Sequence, residues 1–231
     1  MSDQTPPKIS SNYYQGVRNE ITSLLPANIG TVLEIGCGEG GTMAWLRSIK
    51  QIKYAAGVEF VPEVGKKAQA VFDAVEIGSI DEVPLNFSVQ QFDLILALDV
   101  LEHLAWPGST VKKLFNHLRP NGMFIASIPN VANYQVALPL LFGGQWNYTD
   151  EGLLDRTHLR FFTKKTAIEL FENSGLLVEK VEVNYLSPNI FKFLGWCGPN
   201  ARWYSSKIIR LLPPIRHLVE FQYLIAARKP T

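Results

Sequence analysis

Between Glu34 and Gly41 the chain reads Glu-Ile-Gly-Cys-Gly-Glu-Gly-Gly, directly after the apolar run Thr31-Val32-Leu33. An apolar strand ending in a carboxylate, followed by glycines that open a helix, lets a ligand lie against bare backbone. The first turn of such a helix offers unpaired N–H groups to electron-rich atoms. A nucleotide-type ligand suits this turn. Farther along, Asp99-Val100-Leu101-Glu102-His103-Leu104 gathers two carboxylates and an imidazole just after the apolar run Phe92 to Leu98. His103 has the chemistry of a general base working near neutral pH; the plain alternative is a histidine that packs at a helix start. His158, inside Leu154 to Thr163, is a second candidate base.

Glycine spacing alone leaves the nucleotide open. Gly36, Gly38 and Gly41 satisfy the dinucleotide pattern G-x-G-x-x-G, and Glu59 stands at about the offset of a ribose-binding acid. Glu34 favours another ligand. A carboxylate beside the turn repels a pyrophosphate at close range, yet accepts hydrogen bonds from an amino-acid ammonium and attracts a sulfonium. That cationic tail belongs to S-adenosylmethionine.

Alternating apolar runs and helical patterns must position these groups. The spacing predicts an N-terminal helix over 12–25, with Ser10 or Ser11 as cap and Pro26 as stop. Strands are expected over 31–35, 53–60, 74–77, 92–98 and 123–128, and helices over 41–49, 62–72 and 111–118. This alternation is that of a doubly wound, Rossmann-like α/β fold with a mostly parallel sheet covered on both faces. From Pro129 to Phe162 periodicity vanishes, which marks a functional irregular segment. A helix over 164–174, a strand over 177–185 and a last strand over 218–228 follow.

With 231 residues, 47% hydrophobic, the chain fits one domain over 1–231. A formal net charge of +1 gives no long-range field for nucleic acid. Two cysteines, Cys37 and Cys197, make neither a disulfide framework nor a zinc cluster. No apolar run spans a bilayer, and a soluble protein of the reducing cytoplasm is expected. The stretch 188–217 interleaves Phe191, Phe193, Trp196, Trp203 and Tyr204 with Lys192, Arg202, Lys207 and Arg210. It reads as a lid or homodimer contact in preference to a peripheral membrane contact, because its basic residues are not densely clustered.

On Glu34, the glycines, Glu59 and the final strand, the chain resembles class I S-adenosylmethionine-dependent methyltransferases over residues 12 to 186 and the last strand. The resemblance implies a sheet with an antiparallel C-terminal strand. It implies that Glu34, Gly36 and Gly38 line the methionine end, that Glu59 binds the ribose hydroxyls and that Phe60 lies on the adenine. Gly78-Ser79-Ile80-Asp81 would be the adenine loop, with Asp81 replacing the acid missing at Ser79, and Asp99 completes the cofactor set. The segment Asp99 to His103 is similar to ubiquinone-biosynthesis O-methyltransferases, in which two acids and a histidine can hold a divalent ion; Asp99, Glu102 and His103 are the corresponding residues, although no metal is assigned. Gly144 to Tyr148 and Leu154 to Thr163 resemble bacterial methyltransferases associated with sugars and surface glycans. Trp146, Tyr148, Asp155 and His158 are therefore expected to grip a sugar or glycan hydroxyl acceptor by stacking and hydrogen bonds. A phenolic or quinol acceptor is the second expectation, and a binding module without turnover the third.

Overall fold

The computed structural model describes residues 13–185 and 215–231. Seven strands form one sheet in the order β3-β2-β1-β4-β5-β7-β6. They are β1 Thr31–Ile35, β2 Tyr54–Glu59, β3 Ala74–Ile77, β4 Phe92–Leu98, β5 Leu118–Pro129, β6 Leu177–Asn184 and β7 Gln222–Arg228. The first five pair in parallel. Only β7 runs against its neighbours, between β5 and β6, as the resemblance implied.

Burial on both faces explains why the central strands are nearly unbroken apolar runs. Side chains alternate across the sheet. Leu33 and Ile35 of β1 join Ala56, Val58, Ile95 and Ala97 in one core layer, while Val32 joins Ala55, Leu94 and Leu96 in the other. Against the first layer pack α3 (Pro107–His117) and α5 (Lys164–Glu172), through Val111, Leu114, Ala167 and Phe171. Thr163 caps α5 in a reciprocal pair with Thr166. The second layer is covered by α1 (Gly41–Ile49), through Met43 and Leu46, and by the N-terminal segment through Ile21 and Leu24. Beside β3 and the end of β2, α2 (Pro62–Ala68) completes the order.

Several boundaries differ from expectation. The helix expected over 12–25 is instead two 3-10 turns, Tyr13–Gln15 and Asn19–Leu24. Gly16 interrupts the pattern, and burial of Ile21 and Leu24, three apart, suits a 3-10 turn. The second helix stops at Ala68 short of Phe72, α3 begins four residues early on Pro107, and β5 begins at Leu118. Within the supposedly irregular stretch lies α4, Tyr134–Gly143, capped by Asn133 and carrying Pro139 inside it. The last strand starts at Gln222, after a 3-10 turn at Arg216–Leu218. Ser10, Ser11 and residues 186–214 of the aromatic, basic stretch lie outside the described residues.

Candidate active site

A cavity of about 680 Å³ opens at the carboxyl ends of β1, β2 and β4, where the chain winds outward in both directions. Glu34, Gly36, Gly38, Glu59, Phe60, Ser79, Ile80, Asp81 and Asp99 all stand in its wall, together with His103. Strand alternation puts Glu34 on the same face as Val32, towards the N-terminal segment. It is 4% exposed, and its Oε2 has no hydrogen-bond partner. Burial, aided by the nearby Glu59, pushes its carboxyl up to about 8, against the pull of the Arg18 guanidinium. An orphaned carboxylate oxygen facing a cavity asks for a cationic ligand.

The glycine turn is held from below and from the side. The N–H groups of Gly36 and Cys37 donate to the Val58 carbonyl, and Glu39 N–H donates to the Tyr14 carbonyl. Gly36 and Gly38 have positive φ, +65° and +55°. A Cβ on Gly38 would stand 2.6 Å from the Tyr14 carbonyl oxygen, and one on Gly41 2.7 Å from that of Gln15. Both glycines thus make room for the N-terminal segment, and Gly38 also stands in the cavity wall. At the end of β2, Glu59 Oε2 accepts from Gly38 N–H (2.9 Å) and Oε1 from Val61 N–H (3.0 Å). Glu59 therefore joins the turn to the start of α2, and each oxygen keeps a further lone pair. Phe60 is 71% exposed, a bare ring at the rim. In the next loop Asp81 Oδ1 accepts from the Thr110 hydroxyl at 2.6 Å.

Arg18 was not legible as a site residue. Its guanidinium donates to Asp99 Oδ2 (2.5 Å) and Ser127 Oγ (3.3 Å) on the cavity floor. Asp99 Oδ1 accepts from the Ser127 hydroxyl and from Gln222, and the residue has a left-handed φ of +56°. With both oxygens engaged, Asp99 does not join Glu102 and His103 in the set that the resemblance offered for an ion.

His158 stands there instead. Glu102, His103 and His158 bring one ligating atom each within 4.8 Å of one another. Glu102 is 1% exposed, with both carboxylate oxygens unpartnered, and burial beside Asp99 raises its carboxyl well above the usual range. The imidazole rings meet edge to face at 4.7 Å. His103 Nδ1 lies 3.2 Å from the Thr157 carbonyl and 3.0 Å from its hydroxyl oxygen. That hydroxyl donates to Asp155 Oδ1 at 2.6 Å, so its oxygen accepts from His103. The proton of His103 accordingly sits on Nδ1, leaving Nε2 as an acceptor. His158 Nδ1, 3.2 Å from the Leu153 carbonyl, is arranged alike. Burial, helped by His158, keeps His103 below its usual pKa and hence neutral at pH 7. An orphaned carboxylate with two acceptor Nε2 atoms fits a divalent ion.

The four expected acceptor residues are not in the cavity wall. Asp155 is turned to the Thr157 hydroxyl and backbone N–H, making it a positioning group for His103. Trp146 packs edge-on against Phe161 at 5.0 Å, Tyr148 lies 6.5 Å from the same ring, and Phe161 approaches His158 at 6.3 Å. Arg156 pairs with Asp150 across 3.0 Å instead of with its neighbour Asp155. Thr157 and Leu159 are the members of this segment that reach the cavity, docked by Leu159 N–H on the Glu102 carbonyl.

A sequence model of the methyltransferase domain matches residues 11–181. The chain belongs to that family. This methyltransferase domain is 27% identical over 150 residues to a "Probable S-adenosylmethionine-dependent methyltransferase" of Mycolicibacterium smegmatis, covering 64% of this chain and 52% of that protein. It is 26% identical over 175 residues to the ubiquinone biosynthesis O-methyltransferase of Aeromonas salmonicida, covering 70% and 69% respectively. The chain spans about half the length of the first relative. Among solved structures, a methyltransferase from Haloferax volcanii in complex with the Trm112 activator superposes with a TM-score of 0.62 at 17% identity, over 95% of this chain and 91% of that one. An Archaeoglobus fulgidus methyltransferase gives 0.61 at 16%, over 91% and 90%. The domain is thus of the class I, S-adenosylmethionine-dependent type, with S-adenosylmethionine as its cofactor.

Proposed function

We propose that this domain transfers the methyl group of S-adenosylmethionine to a hydroxyl of a sugar or glycan acceptor. The observation that carries the reading is the neutral His103, in the cavity wall with its acceptor nitrogen fixed by Thr157 and Asp155. A base in that state helps an alcohol more than an amine that is already nucleophilic. Glu34 would accept the cofactor's ammonium, Glu59 its ribose hydroxyls and Phe60 its adenine, while Arg18 stands beside the methionine end as a partner for its carboxylate. The remaining requirement is alignment. The acceptor oxygen attacks the methyl carbon in line with the sulfur, the C–S electron pair passes to sulfur, and the hydroxyl proton passes to His103 Nε2. S-adenosylhomocysteine and the methyl ether leave.

Glu102's unpartnered oxygens favour a second arrangement of the same chemistry. There Glu102, His103 and His158 would hold a divalent ion, which supplies Lewis acidity to lower the acceptor hydroxyl's pKa. His103 is then a ligand, not the base. A phenol or quinol is the alternative acceptor, supported by the ubiquinone-biosynthesis relative. The test measures S-adenosylhomocysteine release with nucleotide sugars and oligosaccharides, catechols and quinols, and amines, each with and without EDTA. Hydroxyl acceptors should turn over, and sugars better than catechols. Turnover of amines alone sinks the O-methylation reading, and activity that persists in excess EDTA removes the ion.

A further inference from the structure

We propose that Arg160 and Trp106 form a subsite for an anionic group of the acceptor, a phosphate or carboxylate carried by the sugar whose hydroxyl is methylated. The inference rests on the O-methylation reading and adds the acceptor's charge to it. Beside the cavity lies an open hollow lined by Ala105, Trp106, Pro107, Gly108, Ser109 and Arg160. Ala105 stands in the cavity wall as well, two residues after His103. Two residues of chain span at most about 7 Å, so an acceptor oxygen at His103 has the hollow within reach of the rest of its molecule.

Arg160 is set in place before any ligand arrives. The N–H groups of Leu159 and Arg160 both donate to the Glu102 carbonyl, at 2.8 and 2.9 Å. The guanidinium Nε and Nη2 donate to the Ala105 carbonyl at 2.9 and 2.5 Å, and Cζ lies 5.4 Å over the Trp106 ring. One fork of the guanidinium is thus spent on a single carbonyl. The other, Nη1 with the second N–H of Nη2, matches two oxygens of a carboxylate or phosphate. Every other described arginine pairs with an aspartate or glutamate. Arg160 has no such partner among the described residues, and no acid lines the hollow. A guanidinium on an exposed ring is ordinary surface packing by itself; the missing counter-charge and the wall shared with the cavity give this one a ligand. Because it is ordered in advance, little freedom is lost when an anion binds. Trp106, 70% exposed, offers a plane on which a sugar ring can lie.

Calorimetric titration of the full chain saturated with S-adenosylhomocysteine tests this without turnover. Glucose 1-phosphate and uridine diphosphate glucose present the phosphate, glucuronate presents the carboxylate, and glucose presents neither. One or more anionic probes should bind at least tenfold more tightly than glucose, the tightest naming the group, and the preference should shrink as salt is raised. Arg160→Gln should erase the preference, and Trp106→Ala should weaken the anionic probes. Both variants should keep the thermal shift given by S-adenosylhomocysteine, which reports an intact fold and cofactor site. In turnover of an anionic acceptor, Arg160→Gln should act through KM more than through kcat. Glucose matching every anionic probe, no binding of any probe, or a preference that survives Arg160→Gln overturns the proposal. Loss of the S-adenosylhomocysteine shift in both variants makes the pair structural and overturns it too. A chain that prefers anionic probes yet methylates only amines keeps the subsite and loses the hydroxyl reading. One that methylates sugars without regard to their charge keeps the hydroxyl reading and loses the subsite.

Discussion

At Glu34 the cost of burying a carboxylate and the need of a cationic ligand meet in one side chain. Its folded pKa of about 8 lies above the 4.5 of an unperturbed glutamate, so the folded chain holds a proton that the unfolded chain releases. Stability without cofactor must therefore fall as pH rises from about 4.5 towards 8 and then level off. Glu34→Gln should raise the melting temperature of the cofactor-free domain at pH 8 and leave it unchanged near pH 4, read by scanning calorimetry. The same variant should weaken S-adenosylhomocysteine binding about 10- to 150-fold, the range of a lost hydrogen bond to a charged group, and titration calorimetry at pH 8 measures it. His103→Ala should lower turnover by about two to four powers of ten with the S-adenosylhomocysteine dissociation constant unchanged; equal loss of both would make it a structural residue. Asp155→Asn should act in the same direction but less, because Thr157 keeps its carbonyl on His103 Nδ1.

Elements explain why some of these residues could be found from sequence and others could not. The buried runs of β1, β2 and β4 were legible because their apolar residues need no partner to be recognised, and Glu34 and Glu59 were legible because they end such runs. Arg18 was not, since its meaning lies in contacts with Asp99 and Ser127, 81 and 109 residues away. The helix α4 was hidden by Pro139 and by apolar residues on every side, which erase a helical stripe. The resemblance offered Asp99 for an ion, whereas the fold spends both its oxygens on Arg18, Ser127 and Gln222 and brings His158 from a distant segment. Gly41 was noted only for its spacing in a ligand pattern, yet the fold uses it to make room for Gln15. Gly41→Ala, at an ordinary helical φ, should displace residues 13–18 without distorting the turn's own backbone. Faster proteolysis within 13–18 and weaker S-adenosylhomocysteine binding are the expected outcomes; wild-type behaviour in both would show that residues 13–18 do not depend on the space at Gly41.

Across the whole molecule, the cavity sits where loops from β1, β2, β4 and the N-terminal segment converge, while the central strands beneath are buried on both faces. Hydrogen exchange should be slowest in β1, β4 and β5 and faster over 143–162. S-adenosylhomocysteine should protect 36–41, 59–61 and 78–81, and protection confined elsewhere would move the cofactor. The position of β7 has a consequence in time. It is the last strand in the chain, yet it lies inside the sheet, and β6 reaches the sheet only through it. A ribosome adding about 5–20 residues per second takes roughly 2 to 9 s to travel from Asn184 to Arg228, and throughout that interval β5 keeps a bare edge and β6 has no neighbour. Gln222, which holds Asp99, arrives in the same final strand. The nascent chain therefore has its glycine turn long before it has a finished cavity floor, and a protein stalled before residue 222 would present sticky strand edges to chaperones instead of a cofactor site.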